Sequence, residues 1–282
     1  MLDVQMAQRT AGKSIALGTA RRHRMAVYAN DLIGIEINQF GVYERAELDV
    51  LFDFLTPLRD VLQAGVAFDI GANIGNHALY FADRFLHVHA FEPNPPTFEL
   101  LEFNTRHVPN VNVHPFGLGD EKGSFSLVED PGNFGGSSIQ VGCSEAVPST
   151  QVQVEVIDAL SLDTAGCCFL KIDVEGFEAS VIRGGLKLIE GQQPLIVLEQ
   201  HEKEFRQGST EAIQLLSKLG YRFCWHQIRN GQTSWVMRRL FDVKEVVFGR
   251  VHSIVTADQV PPSTYSMLIA VPERFQAALK LR

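Results

Sequence analysis

Residues 68–82 read FDIGANIGNHALYFA. An apolar run closes on Asp69, a turn carries Gly71, Asn73 and Gly75, and a helical pattern opens at Asn76. A strand, a glycine-bearing turn and a helix in this order form the first unit of a doubly wound sheet. In such sheets ligands sit outside the carboxyl ends of the strands, near that turn.

The rest of the chain repeats the rhythm. Upstream, Leu48, Leu51, Phe52, Leu55, Leu58 and Leu62 recur at steps of three and four, which predicts one helix from Glu44 to about Gly65. Downstream, HVHAFE, VNVHPF, CCFLKID, PLIVLEQ, YRFCW and YSMLIAV are short apolar runs. Helical stretches over Asn76–Phe85, Thr97–His107, Glu178–Glu190 and Thr210–Leu219 separate several of them. Strands alternating with helices predict βαβ units and a mainly parallel sheet covered on both faces, a Rossmann-like α/β fold. Between about 123 and 157 the rhythm breaks: SFSLV, the glycine-rich NFGGSS loop and QVQVEV predict an inserted β-hairpin on the ligand side. Residues 1–42 form an N-terminal extension with a predicted strand at LIGIEI (Leu32–Ile37) and no assigned chemistry; 43–282 form the main domain.

Composition narrows the function. The chain has 282 residues, 45% hydrophobic and 21% charged, enough for one large core. A formal net charge of -8 with 25 Lys plus Arg argues against nucleic acid, because sequence-independent affinity for it comes from neutralising phosphates. Cys143, Cys167, Cys168 and Cys224 show no zinc-site spacing and read as reduced thiols. No apolar run reaches bilayer length and no secretory signal is evident, so the expectation is a cytoplasmic protein without a membrane partner.

The turn's residues choose among nucleoside ligands. Glu92 in HAFEPNP closes the second strand, where a carboxylate can accept hydrogen bonds from both ribose hydroxyls. A dinucleotide fingerprint needs glycines at the places held here by Asn73 and Asn76, since the backbone must approach a pyrophosphate. S-adenosylmethionine carries an ammonium and no phosphate, and Asp69 suits an ammonium. Each residue has a plainer reading too: Asp69 and Asn76 as helix caps, Glu92 as a surface carboxylate, Gly71 and Gly75 as turn formers.

The runs FDIGANIGNHALYFA, FEPNP, GLGDEKG (117–123), FLKIDVEGFEASVIRGG (169–185) and PLIVLEQH (194–201) resemble the FkbM family of class I S-adenosylmethionine-dependent methyltransferases, over roughly Tyr43 to Val271. The resemblance implies a seven-stranded sheet whose final strand, YSMLIAV, runs antiparallel. It also implies methylation of an oxygen, typically a hydroxyl on a sugar, polyketide or other secondary metabolite. The expected partner is therefore a small-molecule or glycan acceptor, with a homodimer as the oligomer entertained. By the same resemblance Leu118 lies against the purine, and Gly119 or Asp120 meets its amino edge.

Asp173 ends the fourth strand of the main rhythm and projects toward the transferred methyl group as an orienting carboxylate. Glu199 and His201 end the next strand on the same side, by the period of two, and are candidate proton acceptors. His77 is a weaker candidate for that role, Glu44 reads either as a cofactor contact or as a first-turn charge, and Glu175 and Glu178 read as first-turn charges of a helix. A divalent metal between Asp173 and Glu199 is compatible with the residue types, but nothing in the spacing requires it, and no metal ligand is assigned. Tyr43, Phe134, Trp225 and Trp235 are open candidates for stacking on an acceptor. Two rivals remain: an NAD(P)-dependent oxidoreductase, against which Asn73 argues, and a non-catalytic nucleoside-binding protein.

Overall fold

The computed structural model describes residues 23–28, 31–130, 133–140, 149–162, 164–228, 252–257 and 259–281. Its centre is an eight-stranded sheet built from β1 (Val66–Ile70), β2 (His87–Phe91), β3 (Val111–His114), β8 (Cys167–Ile172), β9 (Leu195–Gln200), β10 (Arg222–Ile228), β11 (His252–Thr256) and β12 (Tyr265–Val271). Their order across the sheet is β11-β10-β12-β9-β8-β1-β2-β3. β12 runs antiparallel to both neighbours, as expected, and β11 adds a second antiparallel strand at the edge, giving eight strands where seven were predicted. HSIVT (252–256) is too short and polar an apolar run to have stood out.

The central strands β1 and β8 are buried along their whole length, which is why they read as continuous apolar runs. One face of the sheet packs Phe68, Ile70, Leu170 and Ile172 against Val181, Ile182 and Leu216. The other packs Ala67, Phe169 and Val197 against Leu48, Leu51 and Phe81. The order reverses between β1 and β8, since β2 and β3 extend one way from β1 and β9 the other. That reversal opens a crevice beyond the carboxyl ends of β1 and β8.

Several predicted elements are corrected. LIGIEI is not a strand: Leu32–Phe40 is helix α1, closed by Gly41 at φ 81, whose N–H returns to the Ile37 carbonyl. The left-handed glycine past its end is a helix stop that outweighs the strand preference of its isoleucines. The Glu44–Gly65 helix divides into α2 (Arg45–Phe54), a 3₁₀ turn (Thr56–Leu58) and α3 (Arg59–Ala64), because Pro57 cannot continue a helix interior. Its leucine face is nevertheless buried throughout. The stretch 178–190 divides at Gly185 into α6 (Glu178–Gly184) and α7 (Leu186–Gln192), whereas α4 (Asn76–Ala82), α5 (Pro95–Thr105) and α8 (Glu211–Lys218) match their readings. NFGGSS is not a loop: it begins strand β6 (Asn133–Gln140). With β4 (Gly117–Gly119), β5 (Gly123–Asp130) and β7 (Ser149–Val156) it forms a four-stranded sheet, larger than the hairpin expected. No helix among the described residues is long and apolar enough to cross a membrane.

Candidate active site

The crevice at the strand-order reversal is a cleft of about 310 Å³, into which Gly71, Asn73, Glu92, Leu118, Asp173 and His201 all face. Its floor depends on one close approach. Gly71 has φ 77, and a Cβ placed there would stand 1.8 Å from the carbonyl oxygen of Asp173, so only glycine lets the β1 turn meet the end of β8. The Gly71 and Ala72 N–H groups both donate to the Phe91 carbonyl, pinning the turn to β2. Asn73 adopts φ 50, a left-handed conformation that asparagine tolerates, with its Oδ1 accepting from the Ile74 N–H.

Glu92 is buried and held by the loops around it: Oε2 accepts from the Asn73 N–H at 3.0 Å and Oε1 from the Asn94 N–H at 2.9 Å. Burial pushes its carboxyl up to about 7, against the pull of these two donors. Each oxygen retains a second lone pair for a ligand hydroxyl. Leu118 is buried and contributes an apolar wall.

Beneath the turn lies a buried cation that the sequence reading passed over. Lys171 Nζ is 3.0 Å from Asp173 Oδ2, 3.5 Å from Asp69 Oδ1 and 3.2 Å from the Gly71 carbonyl oxygen. Burial opposes its charge, but the two carboxylates raise its pKa above the usual lysine value. Asp69 is fully buried in this contact and does not reach the cleft wall; burial raises its carboxyl, against the Lys171 charge.

The far end of the cleft is acidic. Asp173 and Glu199 are hydrogen-bonded to each other. Burial opposes ionisation of Asp173, yet the Lys171 charge and that hydrogen bond carry its carboxyl down, while burial and the Asp173 charge drive Glu199 up. The two carboxyls thus stand as one coupled pair, with His201 beside Glu199. His201 Nε2 lies 3.2 Å from Glu175 Oε2 and 3.8 Å from Glu199 Oε2. Glu175 does not belong to a helix; it sits at φ 50 in the loop after β8. Glu178, buried at the start of α6, shapes that loop by accepting from the Gly176 N–H at 3.0 Å and the Val174 N–H at 3.4 Å.

The chain ahead of β1 also borders the cleft, including part of the 1–42 extension to which the sequence assigned no chemistry. Leu32, Ile33, Tyr43 and Glu44 line the cleft. Asn76 accepts from the Tyr43 N–H at 3.0 Å and donates to the Tyr43 carbonyl at 3.1 Å, so much of its amide serves this attachment. His77 Nε2 lies 3.2 Å from Glu44 Oε2, a second tie between α4 and the start of α2.

Of the residues singled out from sequence, Gly71, Asn73, Asn76, Glu92, Leu118, Asp173, Glu199 and His201 share this cleft. Three do not reach its wall. Asp69 turns to Lys171; Gly75 (φ 90) caps α4 beneath Leu101; Gly119 packs against Phe177 and Gly184. Asp120 is bound by Ser180 and Arg183. Trp225 is buried against Tyr265, Phe134 lies in β6, and Trp235 and Cys143 fall outside the described residues. Cys167, Cys168 and Cys224 are buried free thiols.

The FkbM methyltransferase domain model matches residues 69–223. The chain is 28% identical over 145 residues to the hexuronic acid methyltransferase AglP of Haloferax volcanii, covering 50% of this chain and 58% of that protein. It is 29% identical over 183 residues to Methyltransferase 1 of Beauveria bassiana, covering 56% of this chain and 71% of that one. The chain thus spans little more than half of the archaeal relative's length. A crystal structure of an FkbM methyltransferase from Methylobacillus flagellatus aligns with a TM-score of 0.35 at 22% identity, over 49% of this chain and 33% of that one. With more than half of its residues matched, from Asp69 to Phe223, the chain belongs to the FkbM methyltransferase family.

Proposed function

We propose that the protein transfers a methyl group from S-adenosylmethionine to a hydroxyl oxygen of a small molecule, with a sugar as the leading acceptor class. The observation that carries this reading is the shared cleft: the Gly71–Asn73 turn and Glu92 at one end, Asp173, Glu199 and His201 at the other. Glu92 receives the ribose hydroxyls, Leu118 flanks the purine, and the carboxylate-rich floor suits the cofactor's ammonium and sulfonium. A sulfonium leaves as a neutral thioether, so no acid is needed. Asp173 orients the acceptor hydroxyl and His201 removes its proton, while oxygen forms the new C–O bond as the S–CH₃ bond breaks. Alignment is the larger contribution, on the order of 7 kcal/mol or more, against about 10²–10⁴ in rate for the base. The name of the archaeal relative, a hexuronic acid methyltransferase, supports a sugar acceptor.

The test is calorimetry with S-adenosylhomocysteine and NAD(P), followed by assay of S-adenosylhomocysteine release with a panel of uronic acids and neutral sugars. Binding of the dinucleotide alone would replace this reading with an oxidoreductase. Cofactor binding with no turnover on any hydroxylated acceptor would replace it with a binding protein.

A further inference from the structure

We propose that Glu175, Glu199 and His201 bind one divalent transition-metal cation at the acceptor end of the cleft. One ligand atom from each of these side chains lies within 4.8 Å of the other two. His201 Nε2 stands between the carboxylates, at 3.2 Å from Glu175 and 3.8 Å from Glu199. A cation about 2.1 Å from nitrogen and oxygen donors requires neighbouring donors roughly 3–4 Å apart, and these spacings meet that requirement.

The donors come from two adjacent strand ends. Glu199 and His201 project from the end of β9 at positions i and i+2, and Glu175 from the loop after β8, its parallel neighbour. The loop is held by Glu178 through the Val174 and Gly176 N–H groups, so the donor set is arranged by the protein itself. The local charge also calls for a cation. Lys171 is committed to Asp69, Asp173 and the Gly71 carbonyl, and among the described residues no lysine or arginine lies within ion-pair distance of Glu175 or Glu199. One imidazole with two carboxylates suits Mn²⁺, Fe²⁺, Co²⁺ or Zn²⁺ better than Mg²⁺ or Ca²⁺, which prefer oxygen alone.

Three protein ligands leave coordination positions open toward the cleft. The inference rests on the methyl-transfer reading for what fills them: the acceptor hydroxyl, acidified by the cation, releases its proton to solvent and attacks the methyl carbon as its bond to sulfur breaks. His201 and Glu199 are then ligands, and the hydroxyl proton goes to solvent instead of to His201.

The experiment titrates the chelator-stripped full chain with Mn²⁺ alone, reading free Mn²⁺ by its electron paramagnetic resonance. Saturation at one Mn²⁺ per chain is expected, with Glu175→Gln and His201→Asn each weakening affinity by about ten-fold or more. Spin-echo modulation from a single ¹⁴N nucleus on the bound ion tests imidazole ligation in the unaltered protein, whether or not the variants fold. No saturable binding, or bound Mn²⁺ without nitrogen modulation, overturns the site. Calorimetry with S-adenosylhomocysteine on the same stripped protein separates the two readings. Heat without Mn²⁺ binding removes the cation site alone, whereas Mn²⁺ binding without heat supports the cation site and removes the cofactor.

Discussion

Gly71 and Asp173 approach so closely that a Cβ on the glycine would lie 1.8 Å from the aspartate carbonyl oxygen. The two ends of the cleft therefore share one backbone contact. Gly71→Ala adds both a left-handed alanine and a main-chain collision, and should cost about 3 kcal/mol or more. Urea denaturation checks the stability loss; calorimetry should show S-adenosylhomocysteine binding lost with it.

Lys171 neutralises two carboxylates from a position only 6% exposed. Lys171→Met leaves the buried Asp69 carboxyl without its partner, to stay charged at high cost or take up a proton, and should destabilise the fold by about 3–5 kcal/mol. Adding Asp69→Asn should return part of that loss, since it removes the stranded carboxyl. Equal midpoints for the single and double variants in denaturant would refute the coupling.

Glu92 links cofactor affinity to pH. Burial raises its carboxyl from 4.5 to about 7, so the folded chain holds this proton more tightly than the unfolded one. Its contribution to stability is complete below 4.5 and declines as pH rises through about 7. Ribose hydroxyls prefer the ionised form, so S-adenosylhomocysteine affinity should move the opposite way and strengthen as pH rises through about 7. Calorimetry across that interval should show the dependence in the wild type and a flat profile in Glu92→Gln.

His201 stands beside Glu175 and Glu199, at the β9 side of the cleft and away from the Gly71–Asn73 turn. His201→Ala should lower turnover by about 10²–10⁴ while S-adenosylhomocysteine affinity is kept. A parallel loss of affinity would place the imidazole in cofactor binding instead.

The strand-turn-helix at Phe68–Ala82 and the positions of Glu92, Asp173, Glu199 and His201 were legible because each ends an apolar run, and strand ends in a doubly wound sheet converge on one crevice. Lys171 was not, although a lysine inside the wholly buried run CCFLKI needs a partner. The partner became visible only with the register that sets Asp69 beside it. Glu175 was hidden by a competing explanation, since acidic residues before a helix usually serve its dipole; here the left-handed backbone of Glu175 and Gly176 keeps both outside α6. Leu32 and Ile33 were hidden by their strand-like composition, and Asp69 was misplaced because a strand-ending carboxylate gives no sign of which face it takes.

The reciprocal hydrogen bonds between Asn76 and Tyr43 bear on where the working unit begins. The family match starts at residue 69, but the roof of the cleft is supplied by Leu32, Ile33, Tyr43 and Glu44 and moored to the first helix after the turn. A polypeptide begun at Asp69 would keep every matched motif and still leave the crevice at the strand ends open to bulk water on that side.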